Sequence, residues 1–152
     1  MRRIILQPGH IVVSKEPVAL ETILGSCVSV CLWDDTLQAG GMNHFVLPEC
    51  AESSKDLSAR CGREAIEQLI SDCCSIGMDL QRIKAKIFGG GRVIEQFSDA
   101  FDIGEKNIMI AREVLLQYKI PVIKEFTGPD HGLKIIFYTA TGKAFVKKLD
   151  EK

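Results

Sequence analysis

The chain has 152 residues, 46% hydrophobic and 26% charged, with a net charge of −1. That composition belongs to an ordinary globular protein able to bury a core, and we expect one domain over residues 1–152. Lysine and arginine are spread along the chain, so no basic patch predicts binding to nucleic acid. No apolar run approaches the roughly 20 residues of a membrane helix, so no membrane insertion is expected.

Met1-Arg2-Arg3 leads into a strand pattern rather than the apolar core of a signal peptide, which predicts a cytoplasmic protein. The cysteines at 27, 31, 50, 61, 73 and 74 are then expected as free thiols in a reducing compartment. Neither C-x-x-C nor H-x-x-x-H occurs. Cys27-x-x-x-Cys31 with His44 falls short of a zinc spacing, so no metal is expected.

In chain order, Ile4-Ile5-Leu6 reads as a short strand, Pro8-Gly9 as a turn with His10 exposed beside it, and Ile11-Val12-Val13 as a second strand. Pro17 breaks the pattern before Val18-Ala19-Leu20. Val28, Val30 and Leu32 then alternate with smaller or polar residues, a third strand pattern. Asp34 to Ala39 carries turn residues, and Gly40-Gly41-Met42-Asn43-His44-Phe45-Val46-Leu47-Pro48 returns as a strand stopped by proline, so a hairpin is the economical connection. Glu49 to Lys55 is a polar link. A helix is predicted over 56–76, with Ile66, Leu69, Ile70 and Cys73 as its buried stripe and Gly77 as its stop. Cys61 reads as another small apolar residue on that helix.

Ile83 to Phe88 is a strand followed by Gly89-Gly90-Gly91. The glycines match neither G-x-G-x-x-G nor a G-K-[ST] ending, so they are read as permitting close backbone approach rather than binding nucleotide. A loop or short turn is expected over 96–101. A second helix is predicted over 104–118, with Ile108, Ala111, Leu115 and Tyr118 on one face. Val122-Ile123, Leu133 to Thr139 and Ala144 to Leu149 read as three late strands. Pro129-Asp130-His131-Gly132 and Thr141-Gly142 are turns, with His131 a solvated turn residue. Strands before, between and after two long helices make a mixed α/β or α+β domain.

The hairpin matters because it brings Cys27 toward His44. A turn centred near Asp35-Thr36 sets them opposite, and a two-residue slip leaves them diagonal on one face, with Cβ atoms roughly 5 Å or roughly 7–8 Å apart. A one-residue slip sends them to opposite faces. A thiol beside an imidazole is the minimal kit for acyl transfer: the imidazole takes the thiol proton, the thiolate attacks a carbonyl, and the imidazolium protonates the leaving amine. An imidazolium beside Cys27 would lower its thiol pKa. Gly25-Ser26 offers a tight backbone able to aim N–H groups at an oxyanion. The same two residues also read as a core cysteine and a satisfied core histidine.

The block Leu24-Gly25-Ser26-Cys27-Val28-Ser29-Val30-Cys31-Leu32-Trp33-Asp34, followed by Gly40-Gly41-Met42-Asn43-His44-Phe45-Val46-Leu47-Pro48, resembles the signature of the CheD family, the chemoreceptor glutamine deamidases of chemotaxis. The likeness continues through Ala85 to Gly91 and Asp102-Ile103-Gly104-Glu105-Lys106-Asn107, and ends near Thr139-Ala140-Thr141-Gly142. It implies an α+β fold of packed mixed sheets with two long helices outside, a layered sandwich shared with deamidating toxin domains. It implies Cys27 as nucleophile and His44 as base, and a threonine upstream of the cysteine. Some members carry that threonine six residues before the cysteine, where this chain has Glu21; the role is assigned to Thr22, one position later. Pro129-Asp130-His131-Gly132 departs from the Gly-Gly-Asn turn of many relatives. The resemblance further implies no metal or organic cofactor, and as partners the cytoplasmic helices of a chemoreceptor and a CheC-type phosphatase. An adaptor without catalysis, and a methylesterase acting on receptor glutamyl esters, stay open as alternatives.

Overall fold

The computed structural model describes residues 1–50, 59–92 and 98–149, with 98–102 as backbone only. The strands are β1 (Arg2–Ile5), β2 (Ile11–Ser14), β3 (Val18–Leu24), β4 (Val28–Asp34), β5 (Ala39–Asn43), β6 (Lys84–Gly89), β7 (Val122–Thr127), β8 (Leu133–Tyr138) and β9 (Ala144–Lys148). The helices are α1 (Gly62–Ser75) and α2 (Ser98–Gln117). The strands form two sheets, ordered β1-β3-β8-β9 and β2-β5-β4-β6-β7. Each is mixed: β1/β3 and β6/β7 run parallel, and the other pairs are antiparallel.

Strand β4 shows why the layers stack as they do. Alternate side chains leave opposite faces of a strand. Val28, Val30 and Leu32 join Ile66, Leu69, Ile70 and Cys73 of α1 and Ala111, Val114 and Leu115 of α2 in one core. Cys31 and Trp33 join Met42 and Phe88 against Leu20, Leu24, Leu133, Ile135 and Phe137 of the four-stranded sheet in a second core. All seven β4 residues are therefore buried, as expected of a strand covered on both faces. The order of layers is four-stranded sheet, five-stranded sheet, helices. Among the described residues, no helix is long and apolar enough to cross a membrane.

The strand-turn-strand reading of residues 4–14 holds locally, yet β1 pairs with β3 and β2 pairs with β5 in the other sheet. The hairpin is present, with Cys31 opposite Met42 and Asp34 opposite Ala39. Two helix boundaries differ from expectation. Helix α1 starts at Gly62, because Cys61 is extended (φ −110°, ψ 131°) and bridges Leu47 as a short parallel strand. The expected start, 56–58, lies outside the described residues, as does most of the 49–55 link. Helix α2 begins at Ser98, so residues 98–101, read as a loop, are helical; 96 and 97 are outside the described residues. Strand β7 runs to Thr127, four residues past the expected Val122-Ile123, because the parallel ladder with β6 extends to Gly89 opposite Thr127.

Candidate active site

Strand β3 carries Leu20, Thr22 and Leu24 on the face turned to the five-stranded sheet, which puts Glu21 and Ile23 on the outer face. Glu21 pairs there with Arg3 (2.9 Å) and Lys134 (3.3 Å). Across the inter-sheet space, the hairpin ladder fixes the partner. Its register is the slipped one: the β4/β5 pairing continues past the strand ends to a bridge between Val28 and Phe45. Between them the Asn43 side-chain oxygen accepts the Val30 N–H (2.9 Å), in place of a ladder carbonyl. Cys27 and His44 are thus diagonal neighbours on the face that looks toward Thr22. Leu6, Pro8, Thr22, Ile23, Cys27 and His44 line one pocket at the edge of the two sheets.

Thr22 Oγ1 lies 2.7 Å from His44 Nδ1, and both side chains are buried. The same hydroxyl donates to the Leu6 carbonyl at 2.9 Å. A hydroxyl has one proton; with that proton on Leu6, the oxygen facing His44 is an acceptor, so Nδ1 carries the imidazole proton. Nε2 is then the bare nitrogen, and it has no hydrogen-bond partner among the described residues. The backbone of His44 is held as well. Its carbonyl accepts from Gly9 N–H (2.8 Å), and its N–H donates to the His10 carbonyl (3.3 Å), so the Pro8-Gly9 turn braces the histidine. His10 itself caps that turn, its Nδ1 accepting the Gln7 N–H at 3.0 Å.

Burial, with the nearby His10 and the Arg60 guanidinium acting in the same direction, holds the His44 imidazole down to about 4. Burial pushes the Cys27 thiol up, against the opposing pull of Arg60 and of the residue's own backbone N–H. The expected lowering of the Cys27 pKa by an imidazolium is therefore reversed. A buried histidine at 3% exposure is not an imidazolium at neutral pH, so it offers Cys27 no positive charge. The resting pair is a thiol and a neutral imidazole, the protonation states from which a general base acts.

The other cysteines divide by environment. Cys31 and Cys73 are buried core residues; burial raises both, Cys73 to about 12. Cys74 is exposed. Cys50 and Cys61 form a disulfide, contrary to the expectation of six free thiols. The Leu47–Cys61 bridge, with Val46 and Leu47 N–H groups on the Arg60 carbonyl, brings their Cα atoms to 5.5 Å, inside the disulfide range. Among the described residues no group of three or more His, Cys, Asp or Glu side chains can hold a metal ion; Cys31 of the Cys27/Cys31/His44 set lies in the inter-sheet core.

Sequence reasoning gave no role to the Leu6 carbonyl, Arg60 or Asn107. Asn107 lay in a recognised block, and its position on α2 reaching the Cys27 loop needed the fold to be seen. The Asn107 amide donates to the Ser26 carbonyl (3.0 Å) and to the Val46 carbonyl (2.9 Å). The Gly-rich turn after β6 closes on the same loop, Gly90 N–H on the Cys27 carbonyl and Gly91 N–H on the Gly25 carbonyl, each 2.8 Å. Gly89 has φ +104°, and a Cβ there would collide with the Cys27 carbonyl, which is the close approach the glycine run permits.

Residues 46–148 match the family model CheD, described as CheD chemotactic sensory transduction. The chain is 40% identical to a probable chemoreceptor glutamine deamidase CheD 1 of Anaeromyxobacter dehalogenans, over 97% of this chain and 85% of that one. It is 39% identical to a probable chemoreceptor glutamine deamidase CheD of Laribacter hongkongensis, covering 95% and 71%. A relative of the same name in Agrobacterium fabrum is 41% identical, covering 92% and 76%. 

Proposed function

The chain belongs to the CheD family, and on that premise we propose that it deamidates glutamine side chains of chemoreceptors through a thioester on Cys27. The observation that carries the chemistry is the Thr22–His44 pair beside Cys27 in one pocket, with His44 neutral and its Nε2 without a hydrogen-bond partner among the described residues. Nε2 takes the Cys27 proton as Sγ attacks the carboxamide carbon. The Cys27 backbone N–H donates to the developing oxyanion. The imidazolium then protonates the departing nitrogen, ammonia leaves and the thioester remains. Water, deprotonated by the same Nε2, attacks the thioester and releases glutamate and the free thiol. Thr22 keeps the Nδ1 proton in place throughout, which holds the ring in the tautomer that this cycle needs.

Ile5 and Ile23, 58% and 59% exposed, flank the pocket and give it an apolar rim. Such a rim suits a glutamine projecting from an amphipathic receptor helix rather than a free amino acid. The same reading makes the protein a cytoplasmic, single-domain partner of the receptor's helical stalk, with a CheC-type phosphatase as a second partner.

The test is mass spectrometry of a cognate receptor's cytoplasmic fragment after incubation with wild-type protein or Cys27→Ala. Wild type converts specific glutamines to glutamate, and Cys27→Ala does not. Equal conversion by both removes Cys27 as nucleophile. Tight receptor binding without conversion by either identifies an adaptor instead.

A further inference from the structure

The three carbonyls of the Gly25-Ser26-Cys27 segment are all tied back, to Gly91 N–H, Asn107 Nδ2 and Gly90 N–H in turn. Two of these ties come from backbone; the middle one comes from a side chain on another element, 81 residues away. In a trans peptide the C=O and the following N–H point in opposite directions, and the described residues hold no cis peptide. Holding the Ser26 carbonyl therefore aims the Cys27 N–H. Asn107 lies on α2, fully buried, on the helix side of the five-stranded sheet, whereas Cys27, His44 and Thr22 face the other sheet. The Cys27 N–H is thus turned away from α2, toward the face where the substrate carbonyl must sit. Among the described residues no backbone carbonyl accepts it.

Both atoms that the Asn107 amide meets are carbonyl oxygens, which accept only, so its NH2 group faces them. Its Oδ1 is buried with no partner among the described residues, a cost accepted for the two donations. The second donation, to Val46, joins the nucleophile loop to the chain two residues past His44.

We propose that Asn107 is a positioning residue for the reaction: its side-chain amide locks the Ser26–Cys27 peptide in the orientation that presents the Cys27 N–H as oxyanion donor. This rests on the thioester reading above. Without the amide, the peptide is free to rotate and present its carbonyl to the site, which would repel the oxyanion.

The experiment separates two reactions of the same thiol. Deamidation passes through an oxyanion; alkylation by iodoacetamide is a direct displacement that does not. Asn107→Ala, Asn107→Ser and Asn107→Asp are compared with wild type, with Cys27→Ala as the baseline. Readouts are kcat and KM on the receptor fragment, the Cys27 alkylation rate at pH 9 by site-localised mass spectrometry, and the melting temperature. Expected is a fall in kcat on the order of 10²-fold in Ala and Asp, as for a lost oxyanion donor, with KM and alkylation within about threefold of wild type. Asn107→Ser, which keeps one donor, recovers part of the loss. The proposal is overturned if kcat stays within about threefold of wild type, or if alkylation falls in step with kcat, since Asn107 would then only hold the thiol in place. Failure of all three variants to fold makes Asn107 a residue of the fold and overturns it too. Undiminished turnover by Cys27→Ala marks the failure of the thioester reading itself, and this proposal falls with it.

Discussion

At the residue scale, the choice between Glu21 and Thr22 turns on one alternation. Neighbours on β3 face opposite ways, so only one of them can meet His44, and Thr22 does at 2.7 Å while Glu21 pairs outward with Arg3 and Lys134. Thr22→Val, which keeps the shape and removes the oxygen, should lower kcat by about 10- to 100-fold, a part of the roughly 10²–10⁴ that a positioned base supplies. Glu21→Ala should stay within about twofold, since its ion pairs are on the outer face. A receptor-deamidation assay on the two variants decides it, and a crippled Glu21→Ala would mean that the outer face takes part. The protonation states make a second, pH-based expectation. With His44 held down to about 4, the acid limb of kcat/KM should fall near pH 4 rather than near 6.5. With the Cys27 thiol pushed up, its alkylation rate should still be climbing above pH 9, and exposed Cys74 should label ahead of it at neutral pH. An acid limb at 6.5 would show that His44 titrates as if solvated.

At the element scale, the entry to α1 is closed by covalent and hydrogen-bonded ties at once. Cys61 is its N-cap without a side-chain cap hydrogen bond. Instead Gly62 N–H and Arg63 N–H donate to the Leu47 and Pro48 carbonyls, and the disulfide to Cys50 lies alongside. The helix end is therefore anchored to the chain that follows His44. Closing a loop of sequence separation 11 should contribute about 2–3 kcal/mol. Reduction, or Cys50→Ser, should lower the melting temperature accordingly, as read by circular dichroism with and without dithiothreitol. Unchanged melting under reduction would leave the backbone ties as the whole anchor.

At the scale of the whole molecule, two buried groups, Asp34 and His44, shape how the fold responds to acid. Asp34, at the end of β4, is fully buried and takes a bidentate grip from Arg82 (3.0 and 2.8 Å), with the Thr36, Leu37 and Asp79 N–H groups also donating to it. Burial alone would raise its carboxyl, but Arg82 and those N–H groups outweigh it and hold it down to about 2. A carboxylate depressed on folding contributes stability above its unfolded pKa near 4 and loses it as pH falls toward 2. His44, also depressed, binds a proton more readily in the unfolded chain, so its contribution is present above about 6.5 and declines as pH falls toward 4. Urea midpoints should therefore drop in two stages between pH 7 and pH 2, and Asp34→Asn should shrink the lower one, to which Glu125, held down by Arg112, also adds. A single drop confined to pH 4–2 would show that His44 adds nothing to the linkage.

Local pattern alone was enough for the alternating β4 core, the Ile66–Leu69–Ile70–Cys73 stripe, the glycine stop at Gly77 and the turn of the hairpin between Cys27 and His44, because each depends on residues a few positions apart. The register that puts Cys27 and His44 on one face is set by the ladder itself, since a turn of that length does not fix it. The assignment of the family rested on the same short blocks. What the tertiary structure decided depends on partners distant in sequence. It sent β1 and β2 to different sheets, turned Thr22 rather than Glu21 toward His44, and placed Cys61 beside Cys50. It also carried Asn107 from α2 to the loop before Cys27. The reversal of the Cys27 pKa belongs with these, since desolvation is a property of the assembled layers: a thiol and an imidazole side by side stabilise a thiolate only where water or charge supports the ion pair, and the space between two packed sheets supplies little of either.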